Sequence, residues 1–186
     1  PILPSKIIGI GKNYADHAAE MKSELPVEPL MFLKPSTAVI GPGEVITLPN
    51  QSSMVHHEAE LAVVIGRFCK DVPRDRVSEV ILGFTCANDV SARDVQESDV
   101  QWSRAKGFDT FCPLGPWIET DLDPSDLAVT AYVGDDLRQS GNTKSMIFSA
   151  VELVSFVSHQ MTLLPGDVIL TGTPAGVGPI VSGEEV

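Results

Sequence analysis

Cysteine, basic side chains and long apolar runs are all scarce in this chain of 186 residues, and each scarcity closes a class of explanation. The three cysteines, Cys69, Cys86 and Cys112, are odd in number and irregularly spaced, with no C-x-x-C pair. Neither a disulfide framework nor a zinc cage is suggested, and a reducing cytoplasmic setting fits best. Thirteen basic against 25 acidic side chains leave a net charge of −12, which opposes attraction to nucleic acid phosphates or an anionic membrane surface. Neither is expected as a partner. A small anionic substrate is still compatible with this charge, because a metal or a few local cations can reverse the field inside one cleft. No apolar run approaches the roughly 18 residues of a membrane span, and no charged-then-apolar leader opens the chain. Internal repeats and low-complexity linkers are also lacking.

What is present is enough for one compact domain, since 186 residues with 43% hydrophobic content can bury a substantial core. The start at Pro1 and the end at Gly183-Glu184-Glu185-Val186 make the sequence read as an excerpt, with material expected beyond both ends. Fifteen glycines and 14 prolines are scattered between short apolar runs, the pattern of many strands joined by turns. Strands are predicted at Lys6–Gly9, Leu30–Lys34, Val45–Leu48, Ala59–Ile65, Ile81–Ala87, Trp117–Thr120, Ala128–Val133 and Val168–Thr171. Helical patterns are fewer: Tyr14–Met21, Val72–Ile81 after Pro73, and Ser149–Gln160, where Ala150, Leu153, Val154 and Val157 recur at helical spacing. The expected class is α+β, predominantly β, with short peripheral helices.

The most informative segment is His56-His57-Glu58-Ala59-Glu60-Leu61-Ala62-Val63-Val64-Ile65, which sets two carboxylates at i and i+2 in a β-branched apolar run. On a strand they share one face. Two like charges buried side by side need a compensating cation, and a metal would supply it; the alternative is an edge strand with both glutamates in water. A second apolar run ends in the polar turn Asn88-Asp89-Val90-Ser91-Ala92-Arg93-Asp94, placing Asp89 at a strand end. Three carboxylates without a cysteine make an oxygen-rich set that favours Mg2+ or Mn2+ over zinc. His56 is read as a neighbour of this set, not a ligand. Arg93 and Gln96 follow Asp89 at helical spacing, and His17 and Glu20, three apart, can meet on one helix face.

Taken in order, G-K-N-Y-A-D-H, F-L-K-P, H-x-E-x-E, N-D-x-S-A-R-D, K-G-F-D-T-F-C-P and T-G-T-P-x-G-V span nearly the whole chain. Together they resemble the fumarylacetoacetate hydrolase family, in its branch of 2-hydroxyhepta-2,4-diene-1,7-dioate isomerases, acylpyruvases and oxaloacetate decarboxylases. The resemblance implies a mixed β-sandwich roll of the family's C-terminal catalytic domain, here lacking a small N-terminal domain and the last strands. It also implies pairing as a homodimer and Mg2+ or Mn2+ held by Glu58, Glu60 and Asp89. Its implied reaction is on a 2-keto or 2,4-diketo acid through a metal-stabilised enolate, with hydrolysis of a C–C bond ahead of decarboxylation and isomerisation. His17 and Glu20 correspond to a lid dyad that activates water, and Lys106 to a cation near the metal. Arg93, Gln96, Thr173, Tyr14 and Lys34 correspond to substrate contacts. A binding relic that has lost its chemistry is the non-enzymatic alternative, and the complete set of polar residues argues against it.

Overall fold

In the computed structural model, which describes residues 2–21 and 24–186, the chain is built from twelve short strands and four short helices. The first half contains β1 (Ile7–Gly11), α1 (Ala15–Glu20), β2 (Leu30–Lys34), β3 (Val39–Ile40), β4 (Val55–His57) and β5 (Ala59–Ile65). Next come β6 (Ile81–Asn88), β7 (Ser91–Ala92), α2 (Arg93–Ser98), α3 (Ser103–Lys106) and β8 (Cys112–Glu119). The remainder is β9 (Ala128–Val133), β10 (Asp136–Asn142), α4 (Ala150–Gln160), β11 (Val168–Leu170) and β12 (Gly178–Pro179).

Seven strands form one curled sheet in the order β2-β1-β11-β5-β6-β8-β3. The β1/β11 and β3/β8 pairs are parallel and the other pairs antiparallel. A hairpin, β9-β10, and a three-stranded patch, β12-β4-β7, complete the framework. The period-2 alternation of β5 sends Leu61, Val63 and Ile65 into one apolar cluster and Ala62 into another. Helix α4 closes the first cluster with Ala150, Leu153, Val154 and Val157, all buried. Full burial of a leucine such as Leu153 is worth about 1.5–3 kcal/mol. The helix starts where it does because Ser149 and Glu152 form a reciprocal capping box.

The predominantly β class is as expected, and two predicted elements and one expected helical spacing differ. Val45–Leu48 forms no strand: Ile46 and Leu48 pack against an apolar cluster while Val45 is exposed. The Val72–Ile81 helix shrinks to a 3-10 segment, Arg74–Glu79, because Pro73 fixes its start and β6 begins at Ile81. Asp89, Arg93 and Gln96 do not share one helix; α2 starts at Arg93, and β7 stands between it and Asp89.

Candidate active site

The acidic cluster is made where the two central strands run out. Glu58 stands between β4 and β5, Glu60 is the second residue of β5, and Asp89 follows the last residue of β6. Pairing of Ala59 with Asn88 and Glu60 with Ala87 brings these strand ends level. One oxygen from each carboxylate lies within 4.8 Å of the other two, and the side chains are nearly water-free. Burial first, then the charges of Asp89 and Glu58, hold the Glu60 carboxyl well above the usual carboxylate range. Among the described residues its backbone support is a 2.6 Å hydrogen bond donated by the Gly172 N–H. Gly172 can present that amide because its φ is +96°, and a Cβ there would lie 2.7 Å from the Asn13 Cβ.

Cations surround the other two carboxylates. Lys106 Nζ donates to Glu58 at 2.9 Å and to Asp89 at 2.6 Å. Burial alone would lower the Lys106 pKa; Asp89 and Glu58 more than offset it and raise it above the usual lysine value. The ring of Phe32 has its centroid 5.1 Å from the same ammonium, and the tip of that ring packs against Gly9, where a Cβ would come within 2.2 Å of it. Lys34 Nζ donates to Asp89 at 2.5 Å from the far side. Arg93 Nη2 sits 2.5 Å from Glu58 Oε1, and Nη1 donates to Gln96 Oε1 at 2.9 Å. Burial raises the Glu58 pKa, but Arg93 and Lys106 override it and hold this carboxyl well below the usual range. The Arg93–Glu58 contact is poorly aligned for hydrogen bonding, so buried Nε and Nη2 keep donors unspent among the described residues.

The cluster opens into a cleft of about 220 Å³ whose walls include Glu58, Glu60, Asp89, Lys106, Arg93, Gln96, Thr173 and His17. Ile10, Met21 and Trp102 add an apolar side, so the cleft pairs a charged floor with a hydrophobic wall. His17 hangs from α1, buried, with Nδ1 3.2 Å from Glu20 Oε2. Glu20 also accepts from the Gly176 N–H at 3.1 Å, which pins α1 to the loop after β11. Two expected substrate contacts are not on the cleft wall. Lys34 is fully buried behind Asp89, and Tyr14 is fully buried, its hydroxyl without a partner among the described residues. Burial, then the charge of Glu60, pushes the Tyr14 pKa upward. Thr173 lines the cleft, yet its hydroxyl donates to the Ala59 carbonyl at 2.8 Å. His56 has a buried Nδ1 without a partner among the described residues, and burial, then Arg93, lowers its pKa to about 4. The sequence reading missed the Gly172 amide, Asn13, which bridges Thr171 and Phe148, and Gln139 behind Thr173.

A curled, mostly β domain with a buried three-carboxylate cluster beside a His–Glu pair is matched by a family of hydrolase- and isomerase-type enzymes. The chain belongs to the fumarylacetoacetate (FAA) hydrolase family: that family's C-terminal model matches residues 6–186. It is 60% identical to a solved structure described as 5-carboxymethyl-2-hydroxymuconate delta-isomerase from Mycobacterium smegmatis, covering 99% of this chain and 73% of that one, with a TM-score of 0.93. A structure described as 2-hydroxyhepta-2,4-diene-1,7-dioate isomerase from Mycobacterium marinum is 54% identical, covering 99% and 69%, with a TM-score of 0.92. A 2,4-didehydro-3-deoxy-L-rhamnonate hydrolase from a Sphingomonas species is 45% identical over 177 residues, 93% of this chain and 62% of that protein.

Proposed function

We propose that residues 1–186 act as one catalytic unit on a small 2-keto or 2,4-diketo acid, with hydrolysis of an acylpyruvate-type C–C bond as the leading reaction. The observation that carries this reading is the convergence of Glu58, Glu60 and Asp89 within 4.8 Å at the floor of the cleft that His17 overhangs. The residues fit a hard divalent cation: all donors are oxygens, and burial together with the Asp89 and Glu58 charges disfavours an ionised Glu60, a cost that a cation would relieve. Held by these three carboxylates, Mg2+ or Mn2+ would supply Lewis-acid stabilisation of negative charge on the substrate keto oxygen.

The rest of the chemistry falls to the chain itself. The unspent donors of Arg93, with Gln96 beside them, receive the substrate carboxylate. Lys106 adds positive charge near the keto oxygen, where enolate charge develops. Glu20 holds the proton on His17 Nδ1, leaving Nε2 to take a proton from water. The hydroxide adds to the distal carbonyl carbon; the C–C bond then breaks, and its electron pair becomes the enolate of the 2-keto acid. Protonation of that enolate releases the second product. Isomerisation is the second reading, favoured by the names of the two structures at 54% and 60% identity. It uses the same enolate with proton transfer in place of water attack, and decarboxylation of oxaloacetate would use it as well. A panel of acylpyruvates, oxaloacetate and unsaturated seven-carbon diacids, each assayed with and without Mg2+ or Mn2+, tests these readings. Metal-dependent turnover of an acylpyruvate is expected; turnover that is indifferent to metal removal overturns the proposal.

A further inference from the structure

Gln139 belongs to β10, none of whose residues lines the cleft, yet its side chain is completely buried behind it. Every hydrogen-bonding place on its carboxamide is filled. Oε1 accepts from the Ala59 N–H at 2.9 Å and faces His57 Nδ1 at 3.0 Å. Nε2 donates to Thr173 Oγ1 at 2.7 Å and to the Pro174 carbonyl at 2.8 Å. The Ala59 amide can only donate and the Pro174 carbonyl can only accept, so the amide has one orientation. That orientation puts the His57 proton on Nδ1.

Two of the four partners of this one amide are Ala59, the residue between the two cleft glutamates, and Thr173, in the turn after β11. Thr173 closes the loop, because the hydroxyl that accepts from Gln139 gives its only proton to the Ala59 carbonyl. Thr173 therefore has no side-chain proton left for a ligand, and its backbone N–H, which has no acceptor among the described residues, is the donor it can offer.

We propose that Gln139 is a positioning residue for the cleft: it sets the Glu58–Ala59–Glu60 backbone against the Thr173 turn, with the Thr173 hydroxyl as a brace and not a substrate contact. This rests on the metal reading above and extends it to a residue outside the cleft. The test is Mn2+ affinity, measured by calorimetry on the metal-stripped chain and on variants whose native fold is checked by circular dichroism. Gln139→Leu should weaken Mn2+ binding by about 10- to 100-fold, the range typical of residues that orient ligands. Thr173→Val keeps the side-chain shape and removes the brace, so it should weaken Mn2+ binding in the same direction. The double variant should be no worse than Gln139→Leu alone, because both changes break one unit. Native folding with Mn2+ affinity within about twofold of wild type in either single variant overturns the proposal. Should Gln139→Leu not fold, Thr173→Val decides alone: loss of Mn2+ affinity supports the brace, and unchanged affinity with a raised KM makes the hydroxyl a substrate contact and overturns it. A wild type that binds no Mn2+ overturns the metal reading together with this one, whereas a binding wild type with unaffected variants overturns this one only.

Discussion

Glu60 is the residue whose surroundings ask most clearly for something more. It is buried beside two other carboxylates, its one backbone donor among the described residues is Gly172, and the nearby cations are spent mainly on Glu58 and Asp89. An Asp89→Ala variant would remove one oxygen donor and leave Lys34 and Lys106 without their shared partner. Mn2+ affinity should then fall by more than about 100-fold, beyond the cost of losing a merely orienting neighbour, as calorimetry would read directly. His17 stands differently: it reaches the cleft but does not belong to the three-carboxylate set. His17→Ala should lower kcat for C–C hydrolysis by about 10²- to 10⁴-fold and leave Mn2+ affinity unchanged. The acidic set was legible because an E-x-E pair inside a β-branched run is a local contradiction that demands a partner. Gln139 was not, since Leu137-Arg138-Gln139-Ser140-Gly141 reads as a solvated hairpin edge and only the docking of that hairpin onto β5 buries it.

Among the elements, β11 ties two parts of the main sheet together with only three residues. Its three residues pair with β1 on one side and β5 on the other, so whatever fixes its start fixes the Gly172–Thr173 turn at its end. That anchor is Asp167, fully buried, which accepts from Ser5, from the Lys6 backbone and ammonium, and from the Leu164 N–H. Burial alone would raise its pKa, but Lys6 and the other donors outweigh it and hold the carboxyl below the usual aspartate value. A depressed folded pKa gives stability that is present above the unfolded value and lost as pH falls through the folded one. Asp167→Asn should therefore cost about 2 kcal/mol at neutral pH, because hydrogen bonds to a charged group are the stronger ones. In urea denaturation the gap to wild type should narrow as pH drops below about 4. A gap that stays constant down to pH 2 would assign the loss to packing instead of charge. Elements with long apolar runs, such as β5 and α4, were readable from periodicity. The two- and three-residue strands β4, β7 and β12 were not, because so short a run carries no period and its pairing is dictated by distant neighbours.

At the scale of the whole molecule, the carboxylate cluster is a meeting point of elements far apart in the chain. Glu58 and Glu60 come from the β4–β5 segment and Asp89 from the end of β6, while Lys34 of β2, Arg93 of α2 and Lys106 of α3 pack against them. The turn after β11 reaches the same point through Gly172. Such a site exists only when the sheet is assembled, so an ion bound there binds the folded chain and not the unfolded one, and mass action links it to stability. At a free ion concentration 100 times its dissociation constant the folded state gains about 2.7 kcal/mol. For a chain of this length that corresponds to a rise in Tm of roughly 5–10 °C. Differential scanning calorimetry with Mn2+ should show this rise in wild type and its absence in Asp89→Ala, with ionic strength held constant by NaCl. A general salt effect on a surface of net charge −12 would raise both proteins alike, and that outcome would remove the metal from the account of this fold.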